Sequence, residues 1–181
     1  MKMTPVTLNT ADTIAQPILQ DFKERYGMVP NFYGALGIDG AALSGYLSFE
    51  ETIQQASLLS VREQELISLA IADFNGCHYC VSGHTFSGKK AGLTAEECVM
   101  AQQGRANDSL ENAVIEIALD ALQSKGNLSP ENLRKIEEHA IPQAKVIQIL
   151  AWAALNNFSN WINNLVQPKI DFPLVALSEN R

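Results

Sequence analysis

Apolar residues recur at helical spacing along almost the whole chain, and no stretch alternates in the two-residue rhythm of a half-buried strand. The pattern predicts a first helix over residues 12–26, with Pro17 marking an early break and Gly27 ending it. A second helical region covers residues 31–55 and is interrupted near Gly37-Ile38-Asp39-Gly40. Ser60 with Glu63 reads as a capping box. It opens a helix to Phe74 that sets Leu66, Leu69, Ala70 and Phe74 on one face. Asn75-Gly76 stops that helix, and the next begins at or just before Cys77 and reaches about Ala91. Thr94 with Glu97 forms a second capping box, opening a short helix to Gln103. Ser109 caps a helix to about Lys125, and Ser129 followed by Pro130 opens another to His139. The last long helix covers about residues 142–166, and Pro168 and Pro173 punctuate a tail read as extended or disordered. The expectation is an all-α single domain of seven or eight helices without a sheet. An N-terminal extension covers about residues 1–25 and a short C-terminal tail about residues 168–181.

Composition narrows the function more than the fold. At 181 residues with 46% apolar side chains, the chain fits one domain with a sizeable core. Charged residues make up only 18%, so part of the surface is neutral or covered by a partner subunit. A net charge of −7 and a pI near 4.9 argue against nucleic-acid and anionic-membrane binders, which need a basic face to neutralise phosphates. No apolar run approaches the roughly 18 uncharged residues that span a bilayer. The first residues carry no apolar core of a secretory signal, so a soluble cytoplasmic protein is expected. In a reducing compartment a close cysteine pair points to catalysis, redox chemistry or a metal rather than to a structural staple.

That pair lies in Gly76-Cys77-His78-Tyr79-Cys80-Val81-Ser82-Gly83-His84, which holds two of the three cysteines and two of the three histidines. Cys77 opens a helix, where unsatisfied backbone N–H groups and the positive end of the macrodipole favour a thiolate. Cys80 shares its face, at a spacing that permits a disulfide. His84, four residues on, is placed to take a thiol proton directly or through one water. Glu65 sits in the preceding helix, twelve residues before Cys77. It reads either as a carboxylate that orients the histidine or as a solvated acid of the first turn. Haem attachment through Cys-x-x-Cys-His fails, because Val81 stands where the histidine is required. Zinc stays open, with Cys77, Cys80 and His84 as ligands and a fourth drawn from Cys98, His78 or His139. Burial of the cysteines as small hydrophobes stays open too.

Other polar positions carry weaker signals. Cys98 falls mid-helix beside Val99 and Met100 and reads as core; His139 ends a helix, where a cation suits the dipole. His78 either contacts substrate or faces solvent, and Tyr79 packs sideways or lines a pocket. Asn156, Asn160, Asn163 and Asn164 form a stripe along the last helix. It is either a solvated face or a buried network, subunit interface or pocket wall.

The segment from Ser60 to Thr94 resembles the core motif of AhpD-like alkylhydroperoxidases of the carboxymuconolactone decarboxylase superfamily, most nearly the peroxidase-related branch. The resemblance rests on a glutamate, a cysteine twelve residues on, then Cys-x-x-Cys and a histidine four residues later, matched by Glu65, Cys77, Cys80 and His84. It covers roughly residues 26–166. Two positions depart from the family pattern: Tyr79 stands where well-characterised members place a histidine, and Trp161 where a basic residue is common.

The resemblance implies an AhpD-like helical fold, assembly into homo-oligomers such as trimers or hexamers, and thiol-dependent reduction of alkyl or hydrogen peroxides. Cys80 would attack the peroxide and become a sulfenic acid, and Cys77 would resolve it to a disulfide that an external, unidentified dithiol reduces. His84 would deprotonate Cys80, with Glu65 positioning it or relaying the proton. The dipole argument instead makes Cys77 the more acidic thiol. The two agree if Cys77 is the exposed sulfur that meets the reductant while His84 activates Cys80. No cofactor and no metal is implied. Lactone decarboxylases of the same superfamily are not expected to carry the cysteine pair. The remaining alternative is a zinc-stabilised or otherwise non-enzymatic helical interaction module.

Overall fold

The computed structural model describes residues 2–178, which form nine α-helices and no sheet. They are α1 (Ala15–Tyr26), α2 (Asn31–Leu36), α3 (Gly40–Gln55), α4 (Val61–Phe74), α5 (His78–Lys90), α6 (Ala95–Gln102), α7 (Ser109–Gln123), α8 (Pro130–Glu138) and α9 (Gln143–Val166). The helical region read as one interrupted element is two helices. Asp39 ends the break by capping α3, its carboxylate accepting from the Ala42 N–H at 2.8 Å.

The fold is arranged around α4, which packs against α5, α6, α7 and α9. Leu66, Ile67, Leu69, Ala70, Ile71 and Ala72 are each at most 1% exposed, so the helix is buried on every side rather than along one stripe. Phe74, expected on the core face, is instead 48% exposed; it is the last residue of α4, after which the chain turns at Asn75-Gly76. The polar groups of so buried a helix need internal partners. The Trp152 indole N–H of α9 donates to the Gln64 carbonyl and the Ser68 hydroxyl, both at 3.0 Å. Both expected capping boxes form, at Ser60/Glu63 and Thr94/Glu97. Glu63 also accepts from Lys145 at 2.6 Å, which ties the start of α4 to α9.

The junction between α4 and α5 is a two-residue turn. The Cys77 N–H bonds the Ala72 carbonyl and the Gly76 N–H bonds the Asp73 carbonyl, each at 2.9 Å. This paired arrangement requires a left-handed residue, supplied by Gly76 at φ 67°. Cys77 therefore closes one helix and is the N-cap of the next.

The described residues after α9 run back across α5 without regular structure. The Asp171 carboxylate accepts from the Asn31 backbone N–H at 2.7 Å and the Tyr79 hydroxyl at 2.6 Å. The Val175 N–H donates to the Ser82 hydroxyl at 3.0 Å, and Ser178 donates to Asp73 through its N–H at 2.7 Å and its hydroxyl at 2.6 Å. Ile170, Phe172, Val175 and Leu177 pack against the same apolar cluster as the cysteine pair. Among the described residues no helix is long and apolar enough to cross a membrane.

Because Ile71 is fully buried at the centre of this arrangement, Ile71→Ala should destabilise the protein by about 2–5 kcal/mol. Urea unfolding should show a lowered midpoint with an unchanged slope.

Candidate active site

Cys77 and Cys80 are joined as a disulfide, with their Cα atoms 5.3 Å apart. The Cys77 sulfur also accepts the Cys80 backbone N–H at 3.2 Å, so it takes one of the orphan donors at the start of α5. The expectation that Cys77 is the exposed sulfur fails: it is 1% exposed, tucked between the two helices it joins. Cys80, at 4% exposed, is the sulfur that lines a cleft.

One turn beyond Cys80, His84 meets Glu65 of α4, with Nδ1 and Oε2 2.9 Å apart. A carboxylate only accepts, so the His84 Nδ1–H is the donor in this contact. Of the two readings of Glu65, the structure selects the one in which it touches the histidine. All four residues singled out by spacing thus lie together, three on α5 or its cap and one on α4. The capping role falls to Glu63.

The cleft has a volume of about 630 Å³. Phe22, Phe32, Tyr33, Tyr46, Trp152 and Phe172 give it an aromatic wall, and Cys80, His84, Glu65, Glu50 and Asn163 give it a polar end. Glu50, on α3, had no signal in the sequence: beside Glu51 in Phe49-Glu50-Glu51-Thr52 it reads as a solvated helix acid. Burial raises its pKa, His84 opposes the rise and Glu65 adds to it. The aromatic wall comes from four helices and the tail, and only the folded chain brings them together.

Tyr79 also lines the cleft, but its hydroxyl is committed. It donates to Asp171 and accepts the Phe32 N–H at 3.2 Å. Burial first, and then the Asp171 hydrogen bond, push its pKa far up, so it stays a neutral phenol that fastens the C-terminal segment. His78 is exposed on the other side of α5 and is not among the cleft residues.

Three of the four asparagines in the stripe are buried, and Asn164 is exposed. Asn156, Asn160 and Asn163 are 3%, 0% and 5% exposed. Asn75, in the α4–α5 turn, donates to Asn157 at 2.9 Å and Asn160 at 3.1 Å, and Asn164 donates back to the Asn75 carbonyl at 2.8 Å. Asn163 reaches the site itself, its Nδ2 3.3 Å from the Cys80 sulfur.

The zinc alternative finds no donor set. Among the described residues no three His, Cys, Asp or Glu side chains converge as a metal requires. Cys98 is buried in a separate apolar cluster, and His139 is the C-cap of α8.

The carboxymuconolactone decarboxylase family model matches residues 41–123, which hold all four residues of the sulfur site. No curated protein matches the chain in sequence. Among solved structures it is similar to an uncharacterized peroxidase-related protein from Ralstonia eutropha JMP134, described as an alkylhydroperoxidase AhpD core. The TM-score is 0.80 at 16% identity, covering 95% of this chain and 92% of that one. An uncharacterized peroxidase-related protein from Silicibacter sp. TM1040 superposes with a TM-score of 0.77 at 18% identity, covering 93% of each chain. The debrominase Bmp8, as a cysteine-to-alanine variant in complex with 2,3,4-tribromopyrrole, gives 0.74 at 17% identity, covering 93% of this chain and 90% of that one. Residues 41–123 thus match the carboxymuconolactone decarboxylase family model, and the described residues have the AhpD-like fold.

Proposed function

We propose that the protein is a thiol-dependent peroxidase that reduces organic hydroperoxides with Cys80 and Cys77. The observation that carries this reading is the pairing of a disulfide-competent sulfur in the cleft with a carboxylate-oriented histidine one turn away. His84 draws the proton from the Cys80 thiol, and Glu65 steadies the resulting imidazolium. The thiolate attacks the distal oxygen: an S–O bond forms, the O–O bond breaks, and the departing alkoxide takes the proton back from His84. Cys77 then attacks the Cys80 sulfenic acid, and water leaves as the disulfide closes.

The buried position of Cys77 fits the second half of the cycle. An external dithiol that attacks the cleft-facing sulfur makes Cys77 the leaving group. A thiolate there keeps the Cys80 N–H and the positive end of α5, and low-pKa thiols leave faster. The attack at Cys80 and the acidity of Cys77 thus belong to different steps. We infer a homo-oligomer, a trimer or hexamer, in a cytoplasmic setting where a dithiol reductant is at hand. Exposed Trp161 and Leu165 on α9, at 59% and 65%, supply apolar surface for such contacts.

The aromatic wall favours a second reading, reductive dehalogenation of an aromatic substrate; the similar structure of Bmp8 is named a debrominase and was solved in complex with 2,3,4-tribromopyrrole. The same cysteine pair supplies the two electrons that replacing ring C–Br by C–H requires, with bromide leaving and the ring taking a proton. Turnover of cumene hydroperoxide against bromide release from tribromopyrrole, each with dithiothreitol, separates the two.

Wild-type protein, once reduced, should lose two thiols to one equivalent of hydroperoxide, and Cys80→Ser should consume none. Undiminished consumption by that variant would remove the mechanism. Glu65→Gln should slow peroxide oxidation by about tenfold or more without lowering the melting temperature. A variant that melts lower and reacts at the wild-type rate would make Glu65 structural.

Glu50 gives a pH signature. A carboxyl whose folded pKa lies above its unfolded value contributes stability that is full below the unfolded pKa and lost as pH rises through the folded one. Glu50→Gln stays neutral at every pH. It should match wild type near about pH 4 and melt higher at about pH 8, well above the ordinary carboxylate range of the unfolded chain. Melting curves across that range check the sign.

A further inference from the structure

The Asn163 amide is the side chain that meets the Cys80 sulfur and has no part in the proton path above. It is 5% exposed, it lines the cleft, and its Nδ2 is 3.3 Å from Sγ, within reach of an N–H to sulfur hydrogen bond. Its other end is unpartnered: Oδ1 is buried and accepts no hydrogen bond among the described residues. A buried carbonyl oxygen left without a donor is uncommon in a folded protein. Asn160, one turn earlier, is equally buried but different in kind. It does not line the cleft, and its Oδ1 is taken by Asn75.

The two ends of the amide have different chemistry. Facing sulfur, the N–H end stabilises a thiolate, and hydrogen bonds to charged acceptors are stronger than neutral ones. The opposite orientation would set a carbonyl dipole against the developing charge. Once the N–H points at sulfur, Oδ1 is left as an acceptor beside the place where the reacting oxygen must arrive.

We propose that Asn163 is a catalytic residue, holding the Cys80 thiolate through Nδ2–H and receiving the O–H of the hydroperoxide at Oδ1. The oxygen half of this assignment rests on the peroxidase reading. In the attack, Cys80 Sγ bonds the distal oxygen as the O–O bond breaks. Sulfur goes from thiolate to sulfenic acid, the peroxide is reduced to the alcohol, and the alkoxide takes its proton from His84. The hydrogen of the distal oxygen stays on that oxygen throughout. One hydrogen bond to Oδ1 therefore serves both the bound peroxide and the sulfenic acid, and orients the oxygen toward sulfur from the start. Cys77 then displaces that oxygen as water, which frees Oδ1 again.

The test separates the two ends. In a Cys77→Ser, Cys98→Ser background, the pH dependence of iodoacetamide alkylation reads the Cys80 pKa without any peroxide. Asn163→Leu should raise it by about one unit. In the intact cysteine set, prereduced protein is mixed with cumene hydroperoxide well above the thiol pKa, where the thiolate is fully formed in every variant. Loss of the Oδ1 acceptor should then still slow oxidation by about fivefold. Asn163→Asp, of the same shape, serves where the leucine variant does not fold. Its carboxylate should raise the Cys80 pKa further, by repulsion. An unchanged pKa overturns the assignment, even with a slower rate, since packing alone would produce that. A raised pKa with a wild-type rate at high pH overturns it as well. Absence of wild-type turnover on any hydroperoxide would instead remove the peroxidase reading, while the alkylation result still decides the contact to sulfur.

Discussion

The turn at Asn75-Gly76 is the constraint on which the site depends. The two hydrogen bonds that close α4 there allow only one intervening residue before Cys77 must cap α5. With the cap fixed, the helical repeat puts Cys80 and His84 on one stripe. The direction in which α5 leaves decides what that stripe faces. It leaves so that His84 comes back against Glu65 of α4 and Cys80 faces Asn163 of α9. The asparagines of α9 then hold the turn from outside, through Asn157, Asn160 and Asn164. A side chain at Gly76 would strain the left-handed backbone and disturb cap, stripe and network together.

The same turn gives two chemically identical thiols different surroundings. Cys77 is governed by backbone: a helix N-terminus and the Cys80 N–H, both acting whatever occupies the cleft. Cys80 is governed by side chains from three helices that meet only in the folded chain. A sulfur stabilised by backbone suits a leaving group, because its stabilisation does not have to change during the reaction. A sulfur addressed by an imidazole and an amide suits a nucleophile, because protons move around it as it reacts.

Much of this was legible in the sequence, and the limit is physical. Capping boxes at Ser60 and Thr94, and proline after Ser129, are local signals, and each marks a helix start in the structure. The stripe of Cys77, Cys80 and His84 is equally local, whereas spacing alone left Glu65 open between two readings and the contact with the histidine came from the family resemblance. Glu50 was not legible, since a surface acid and a buried one look the same until α3 is packed against the cleft. The burial of Cys77 was missed for the opposite reason. A helix N-terminus is usually exposed, but this one abuts the helix before it. The asparagine stripe was visible as a pattern, but which asparagine meets sulfur depends on how far α9 slides along α5.

The C-terminal segment bears on how the disulfide could be reduced. Both sulfurs are at most 4% exposed, so a folded reductant cannot reach them across the surface as it stands. The cleft offers one way in, and Phe172 forms part of its wall, lying against Tyr79 and Phe86 with ring centroids 5.8 and 5.6 Å apart. The segment carrying Phe172 is tied at Asp171, Val175 and Ser178 by hydrogen bonds, and its apolar side chains cover the helix that bears the pair. On the proposed cycle, the oxidised enzyme must therefore accept a reductant slender enough for an aromatic cleft, or release this strap. The first course needs no rearrangement, whereas the second breaks several partly buried hydrogen bonds at once, and such an opening is rarely populated. If the proposed cycle holds, a small or extended dithiol would fit this cleft without opening the strap.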